Sequence, residues 1–175
     1  MQACSAAFCP DNANLLAVGT AACETRLYDV RRLDAPLATA AASRAVSYVR
    51  FLGCHLVSSV VNSTLQLLDV RTLAAGEPGA LVRELTGHTN LRHFVGLAVT
   101  AGGYVFTGSE TNEVALYHRS TPHVLGRAAI RAHEDPALAG QSGEKPIVSC
   151  VAVGKSGEYV VAGGTTGWVN VMKLA

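Results

Sequence analysis

At 175 residues the chain is about one domain long, and with 49% apolar but only 15% charged residues, against about 25% charged in an average domain, its surface is short of charge. A net charge of +1 gives no electrostatic reason to expect nucleic acid or an anionic membrane as partner. No apolar run approaches the roughly 20 residues of a bilayer span, and the first positive side chain is Arg26, too late for a signal-peptide n-region, so a soluble, intracellular protein is expected.

The predicted elements are short, rich in Val, Leu, Tyr and Thr, and bounded by turn residues, which favours strands over helices. A first unit reads Cys4-Ser-Ala-Ala-Phe8, Leu15-Leu-Ala-Val-Gly19 and Arg26-Leu-Tyr-Asp29, with an outer strand from Leu37 to Ala41. A second reads Val46-Ser-Tyr-Val-Arg-Phe51, Leu56-Val-Ser-Ser59 and Leu65-Gln-Leu-Leu-Asp69, with an outer strand from Val82 to Thr86. The third is Phe94-Val-Gly-Leu-Ala-Val99, Tyr104-Val-Phe-Thr-Gly-Ser109 and Val114-Ala-Leu-Tyr-His118, its outer strand placed at Ala128 to Ala132. The fourth is Ile147-Val-Ser-Cys-Val-Ala-Val153, Tyr159-Val-Val-Ala-Gly163 and Trp168-Val-Asn-Val-Met172. Asp11-Asn12-Ala13-Asn14, Gly53, Ala101-Gly102-Gly103 and Gly154-Lys155-Ser156-Gly157 supply first-to-second turns; Asn62-Ser63, Thr111-Asn112 and Gly163 to Gly167 supply second-to-third turns. Leu73 to Gly79 and Glu134 to Pro146, rich in Gly, Pro, Ala and Glu, read as surface insertions.

The third-strand positions Tyr28, Leu68, Tyr117 and Met172 recur after 40, 49 and 55 residues. Strand-rich repeats about every 40 to 45 residues, with Gly87-His88 ahead of Tyr117-His118, resemble WD40 propeller blades. The expected fold is all-β, a partial WD40 β-propeller over 1–175, with blades at about 1–42, 43–86, 87–132 and 146–175 and an insertion loop at 133–145. The chain begins almost inside a strand and ends on a third strand, so it is expected to be the C-terminal part of a longer propeller with an open edge near Trp168.

Little in the chain builds catalysis. Five cysteines, Cys4, Cys9, Cys23, Cys54 and Cys150, form an odd set without Cys-x-x-Cys spacing, which argues against a disulfide framework and a zinc site; Cys4 and Cys150 are expected to pack as small buried residues of first strands. Gly154-Lys155-Ser156 lacks the glycine five residues earlier that a phosphate loop needs, that position being Ser149, and sits between strands. No nucleophile elbow, His-Glu-x-x-His or paired-carboxylate arrangement is present, so no enzyme, cofactor or metal is expected. His88 is read as a structural histidine, with Thr107 and Tyr117 to complete its network and Thr111 standing where an Asp would sit; a catalytic or metal role is the sharper alternative. Tyr28-Asp29-Val30-Arg31 and Leu68-Asp69-Val70-Arg71 share an Asp-x-Arg ending, either a solvated local ion pair or a docking element.

Arg44-Ala-Val-Ser-Tyr-Val-Arg-Phe51, Gly87-His-Thr-Asn90 followed by Phe94-Val-Gly-Leu97, and Gly108-Ser-Glu-Thr-Asn-Glu-Val114 with Tyr117-His118 together resemble the C-terminal WD40 propeller of the constitutive photomorphogenesis E3 ubiquitin ligase and its SPA (suppressor of phytochrome A) partners. The resemblance implies about four blades of seven, in a substrate receptor of a light-signalling E3 ligase complex, found in nucleus and cytoplasm. It implies Val-Pro-type peptides of photoreceptors and transcription factors as ligands, with Arg44, Phe94 and, more loosely, Tyr48 lining the groove. A core position for Phe94 stands as its alternative. The Asp-x-Arg endings resemble the element by which some WD40 proteins contact a cullin ligase adaptor, which assigns that role to Asp29, Arg31, Asp69 and Arg71; a ligase–SPA hetero-oligomer is a further implied partner. A scaffold docking the adaptor without a peptide groove is the competing function. The departures are Leu68 in place of Trp, Val60 and Val61 in place of polar residues, and an acidic tract reduced to Glu134-Asp135 and Glu144.

Overall fold

The computed structural model describes residues 2–130, 146–154, 156–165 and 167–174, and the insertion expected at 133–145 lies outside them, as do Lys155 and the end of the third outer strand at 131–132. The chain forms two compact units, Met1–Thr86 and Gly87–Ala175.

In the first unit β1 (Ala3–Cys9), β2 (Asn12–Thr20), β3 (Glu24–Asp29) and β4 (Ala38–Ala41) form one antiparallel sheet in chain order. β5 (Val46–Leu52), β6 (His55–Val60), β7 (Thr64–Asp69) and β8 (Leu81–Thr86) form a second, with the short helix α1 (Val70–Ala74) between β7 and β8. In the second unit β9 (Leu97–Val99), β10 (Tyr104–Gly108), β11 (Glu113–His118) and β12 (Gly126–Ala129) repeat the meander. β13 (Val148–Val153), β14 (Tyr159–Gly164) and β15 (Val169–Lys173) form a three-stranded version of it among the described residues. These up-and-down sheets are propeller blades, and the all-β expectation holds.

Period-two alternation explains the burial of β3, whereas β6 and β7 are buried along nearly their whole length. In β3 Thr25, Leu27 and Asp29 point inward while their neighbours are half-exposed. Leu27 meets Ala17, Val46, Val49, Leu56 and Leu68 in a core shared by the two sheets of the first unit. Ala98, Phe106, Val114, Val148, Val160 and Ala162 do the same in the second. Inner strands approach so closely that glycine is required near the ends of β2 and β10. A Cβ on Gly19 would lie 2.8 Å from Val46 Cγ1, and one on Gly108 would run into the carbonyl oxygen of Val148. Where the second sheet has Ser59 instead, its hydroxyl and carbonyl face Ser47 Oγ at 3.3 and 3.2 Å, and next to it Thr25 Oγ1 lies 2.8 Å from Ser58 Oγ, so the polar groups buried there are partnered.

Several local expectations are corrected: Phe94, Val95 and Gly96, expected in a first strand, precede β9, and Gly163 and Gly164, expected in a turn, end β14. Asn12, Ala13 and Asn14 belong to β2, because Cys9 pairs with Asn12 and leaves a two-residue turn at Pro10-Asp11. Leu73 and Ala74, assigned to an irregular insertion, lie in α1, because the Asp69 carboxylate accepts from the amides of Arg71 and Thr72 and caps a helix. Cys150 is exposed and Cys4 only half-buried. A bulge explains Cys150: Val148 pairs with Gly164 but Cys150 with Gly163, so Ser149 is the extra residue and the side chains beyond it change face. Cys4 is itself the extra residue at the matching place in β1. Finally, the outer strand expected at Ala128 to Ala132 is β12, two residues earlier, where Leu116 pairs with Gly126.

Candidate functional site

The most developed polar structure lies where the second unit begins. Gly87, at φ +121°, turns the chain out of β8, and its carbonyl accepts from Arg127 Nη2 at 2.6 Å. The next side chain, His88, is buried, and its Nδ1 lies 2.9 Å from the hydroxyl of the fully buried Tyr117, the two rings standing edge to face. Burial pushes the imidazole down to about 4 and the phenol up to about 12, so both are neutral at physiological pH. His88 Nε2 has no hydrogen-bond partner among the described residues. Thr107 is buried too, but its hydroxyl donates to the Gly108 carbonyl at 3.2 Å rather than to His88. Thr111 donates to Glu113 Oε2 at 3.1 Å and lies 2.7 Å from Ser109 Oγ.

From His88 the chain passes through Thr89, tied to the β10–β11 turn twice over. Ser109 Oγ accepts the Thr89 amide at 3.1 Å, and the Thr89 carbonyl accepts the Glu110 amide at 2.8 Å. Leu91, Arg92, His93 and Phe94 then emerge, Leu91 61% and Phe94 47% exposed, before Val95 returns to the interior. Glu110 braces this excursion, because its Oε1 accepts the amides of Leu91, Arg92 and His93 at 2.8, 2.6 and 2.8 Å. Those amides and the nearby His93 hold the Glu110 carboxyl below its ordinary value, against the opposing effect of its own desolvation. Sequence reading missed Glu110, whose partners lie 17 to 19 positions earlier.

Phe94 is therefore a surface residue. Arg44 is exposed immediately before β5, and Tyr48, half-buried within β5, has the Arg50 guanidinium 5.7 Å from its ring centre. Arg44 and Tyr48 stand in the first unit and Phe94 in the second.

The two Asp-x-Arg endings differ. Asp29 receives Arg31 through Nη2 at 2.6 Å and Nε at 2.9 and 3.2 Å, with the Arg31 amide also on Oδ1 at 3.0 Å. This guanidinium pair holds the Asp29 carboxyl down to about 2. Asp69 turns instead to the amides of Arg71 and Thr72, and the exposed Arg71 side chain has no ion pair among the described residues. The Thr72 amide leads in holding the Asp69 carboxyl below its ordinary value.

Elsewhere in the second unit a cleft of about 760 Å³ opens between Val99, Tyr104, Leu116, Val153, Glu158 and Leu174 and brings in none of the candidate residues. Among the described residues no three His, Cys, Asp or Glu side chains could hold a metal ion, and no helix is long and apolar enough to cross a membrane.

No protein-family model matches the chain. It is 44% identical over 121 residues to Protein SPA1-RELATED 3 of Arabidopsis thaliana, covering 68% of this chain and 14% of that protein. Over 141 residues it is 38% identical to E3 ubiquitin-protein ligase COP1 of the same plant, covering 77% of this chain and 20% of the ligase. Over 174 residues it is 34% identical to WD repeat-containing protein RUP2, also of Arabidopsis, covering 96% of this chain and 45% of RUP2. The chain is a WD40 domain of the COP1/SPA family. It spans between about a seventh and a half of the length of these COP1/SPA-family relatives and RUP2. Among solved structures, the computationally designed Ika4 protein matches 99% of this chain and 91% of its own with a TM-score of 0.69 at 18% identity, a likeness of fold.

Proposed function

We propose that this COP1/SPA-family domain is a non-catalytic protein-interaction scaffold that reads Val-Pro-type peptides as part of a light-signalling E3 ubiquitin ligase complex in nucleus and cytoplasm. The observation that carries the reading is Phe94, a large aromatic held out of the core at 47% exposure on a braced loop, on which Val and Pro side chains can lie at small entropic cost. Arg44, exposed ahead of β5, suits an acidic flank of such a peptide by its charge, and it is included with Tyr48 on the family resemblance alone. Photoreceptors and transcription factors carrying the motif are the proposed ligands. The test is a titration of a Val-Pro peptide against wild type, Arg44→Glu and Phe94→Ala. Each substitution is expected to weaken binding by about tenfold or more, and equal affinity in all three defeats the reading.

One observation favours a second reading, a scaffold that docks a cullin ligase adaptor through its Asp-x-Arg strand ends without a peptide groove. The Arg71 guanidinium is unengaged among the described residues, whereas Arg31 is already committed to Asp29. Adaptor binding lost on Arg71→Ala, with peptide binding absent throughout, selects it.

A further inference from the structure

An exposed four-residue excursion carrying two large apolar side chains has no packing reason to keep one shape. Leu91 and Phe94 are in solvent, and the segment from 87 to 96 belongs to no strand. Its exposed stretch is braced by one oxygen. Glu110 Oε1 gathers three successive amides at 2.6 to 2.8 Å, an arrangement that fixes the backbone of Leu91 to His93 and with it the departure of Phe94. Glu110 can do this because it is itself held: its amide donates to the Thr89 carbonyl at 2.8 Å, and its neighbour Ser109 accepts the Thr89 amide at 3.1 Å. Loop and turn thus lock each other, with the carboxylate closing the outer end.

We propose that Glu110 is the positioning residue of the peptide surface, acting through the Leu91–His93 backbone to hold Phe94 in its binding position. This rests on the reading that Phe94 contacts the peptide, and it assigns Glu110 no contact of its own. A positioning residue should be replaceable by a side chain that keeps the acceptor. Gln retains a carbonyl oxygen at the same reach, whereas Ala removes it.

The experiment compares wild type, Glu110→Ala, Glu110→Gln and Phe94→Ala as full chains. Amide hydrogen exchange at Leu91, Arg92 and His93 is followed by NMR, and affinity for a Val-Pro peptide by calorimetry. In Glu110→Ala the three amides are expected to exchange at least about tenfold faster and peptide affinity to fall by about fivefold or more, the scale of losing hydrogen bonds to a charged acceptor at a half-exposed site. Glu110→Gln is expected to recover most of both, while protection of the Val105 and Val114 amides inside the sheet stays at the wild-type level in every variant. Unchanged exchange at the three amides in Glu110→Ala overturns the proposal. So does faster exchange with undiminished affinity when Phe94→Ala abolishes binding, and so does a Gln variant as impaired as Ala. If Phe94→Ala also binds normally, the peptide reading fails and the positioning role falls with it, while the exchange data still report separately whether Glu110 holds the loop.

Discussion

His88 sets up a pH dependence of stability whose size follows from its surroundings. The neutral ring sits on the Tyr117 hydroxyl at 2.9 Å, while its Nε2 faces no acceptor among the described residues. An imidazolium needs an acceptor at both nitrogens, so protonation would place an unpaired charged donor in a desolvated site, and the pKa is lowered to about 4. The unfolded chain titrates its histidines near 6.5 and therefore binds more protons than the folded one between these values. Stability from this source is fully present above pH 6.5 and is lost as the pH falls toward about 4. Between pH 7.5 and pH 5 the linkage amounts to about 2 kcal/mol, within a ceiling of about 3 kcal/mol for the whole shift. The assay is urea unfolding at both pH values for wild type and His88→Gln, in which the other titrating groups cancel. Wild type is expected to lose about 2 kcal/mol more than the variant on acidification. An equal loss in both proteins refutes the argument, whatever the variant's stability at neutral pH.

Three further outcomes are expected. Gly108→Ala drives a Cβ into the Val148 carbonyl and should cost about 2–4 kcal/mol in chemical denaturation, whereas Gly126→Ala, with open space around its Cβ, should stay within about 0.5 kcal/mol; similar values for the two would deny the close approach. In Arg31→Ala the Asp29 carboxyl should titrate well above its present value of about 2, followed by carboxyl-carbon NMR, because the guanidinium is the leading cause of its depression. Arg71→Ala should leave Asp69 depressed, because backbone amides and not the Arg71 side chain hold it, and a rise to the ordinary value would contradict the capped helix.

Many of the hairpins were legible because their turns carry residues that tolerate left-handed backbone, as at Gly53, Gly103 and Asn112, and because strands such as β3 alternate. What escaped the reading was set by events at one residue. The bulge at Ser149 shifts register by one and puts Cys150 on the open face, which no composition-based rule for cysteine burial anticipates. The tripeptide Asp-Val-Arg makes a sharper case, because it occurs twice with two outcomes. After Asp69 come Thr72, Leu73, Ala74 and Ala75, which sustain a helical turn, and Gly76 at φ +69° ends it, so the carboxylate becomes an N-cap. After Asp29 the sequence reaches Pro36, which disfavours helix at Ala35, and the Asp29 carboxylate takes the Arg31 side chain instead. The capping signal was present in the residues following Asp69, and the shared tripeptide concealed it.

The candidate site divides along the same line. Exposed residues such as Arg44 and Phe94 were identified from a string match, and a string match ranks side chains without saying what holds them. The backing for Phe94 comes from Glu110, whose role depends on a turn between β10 and β11 reaching back across 17 to 19 residues to three consecutive amides. Local periodicity has no term for such a contact, because an acidic residue after Gly108-Ser109 is equally good hairpin chemistry whether or not a loop lies within reach. The consequence is physical. If an aromatic on an irregular loop is to bind without first ordering its backbone, that ordering must already be supplied by the folded domain, and here one carboxylate oxygen with three donors supplies it. If Phe94 contacts a peptide as proposed, affinity should therefore respond to Glu110 nearly as strongly as to Phe94 itself, although Glu110 makes no contact of its own.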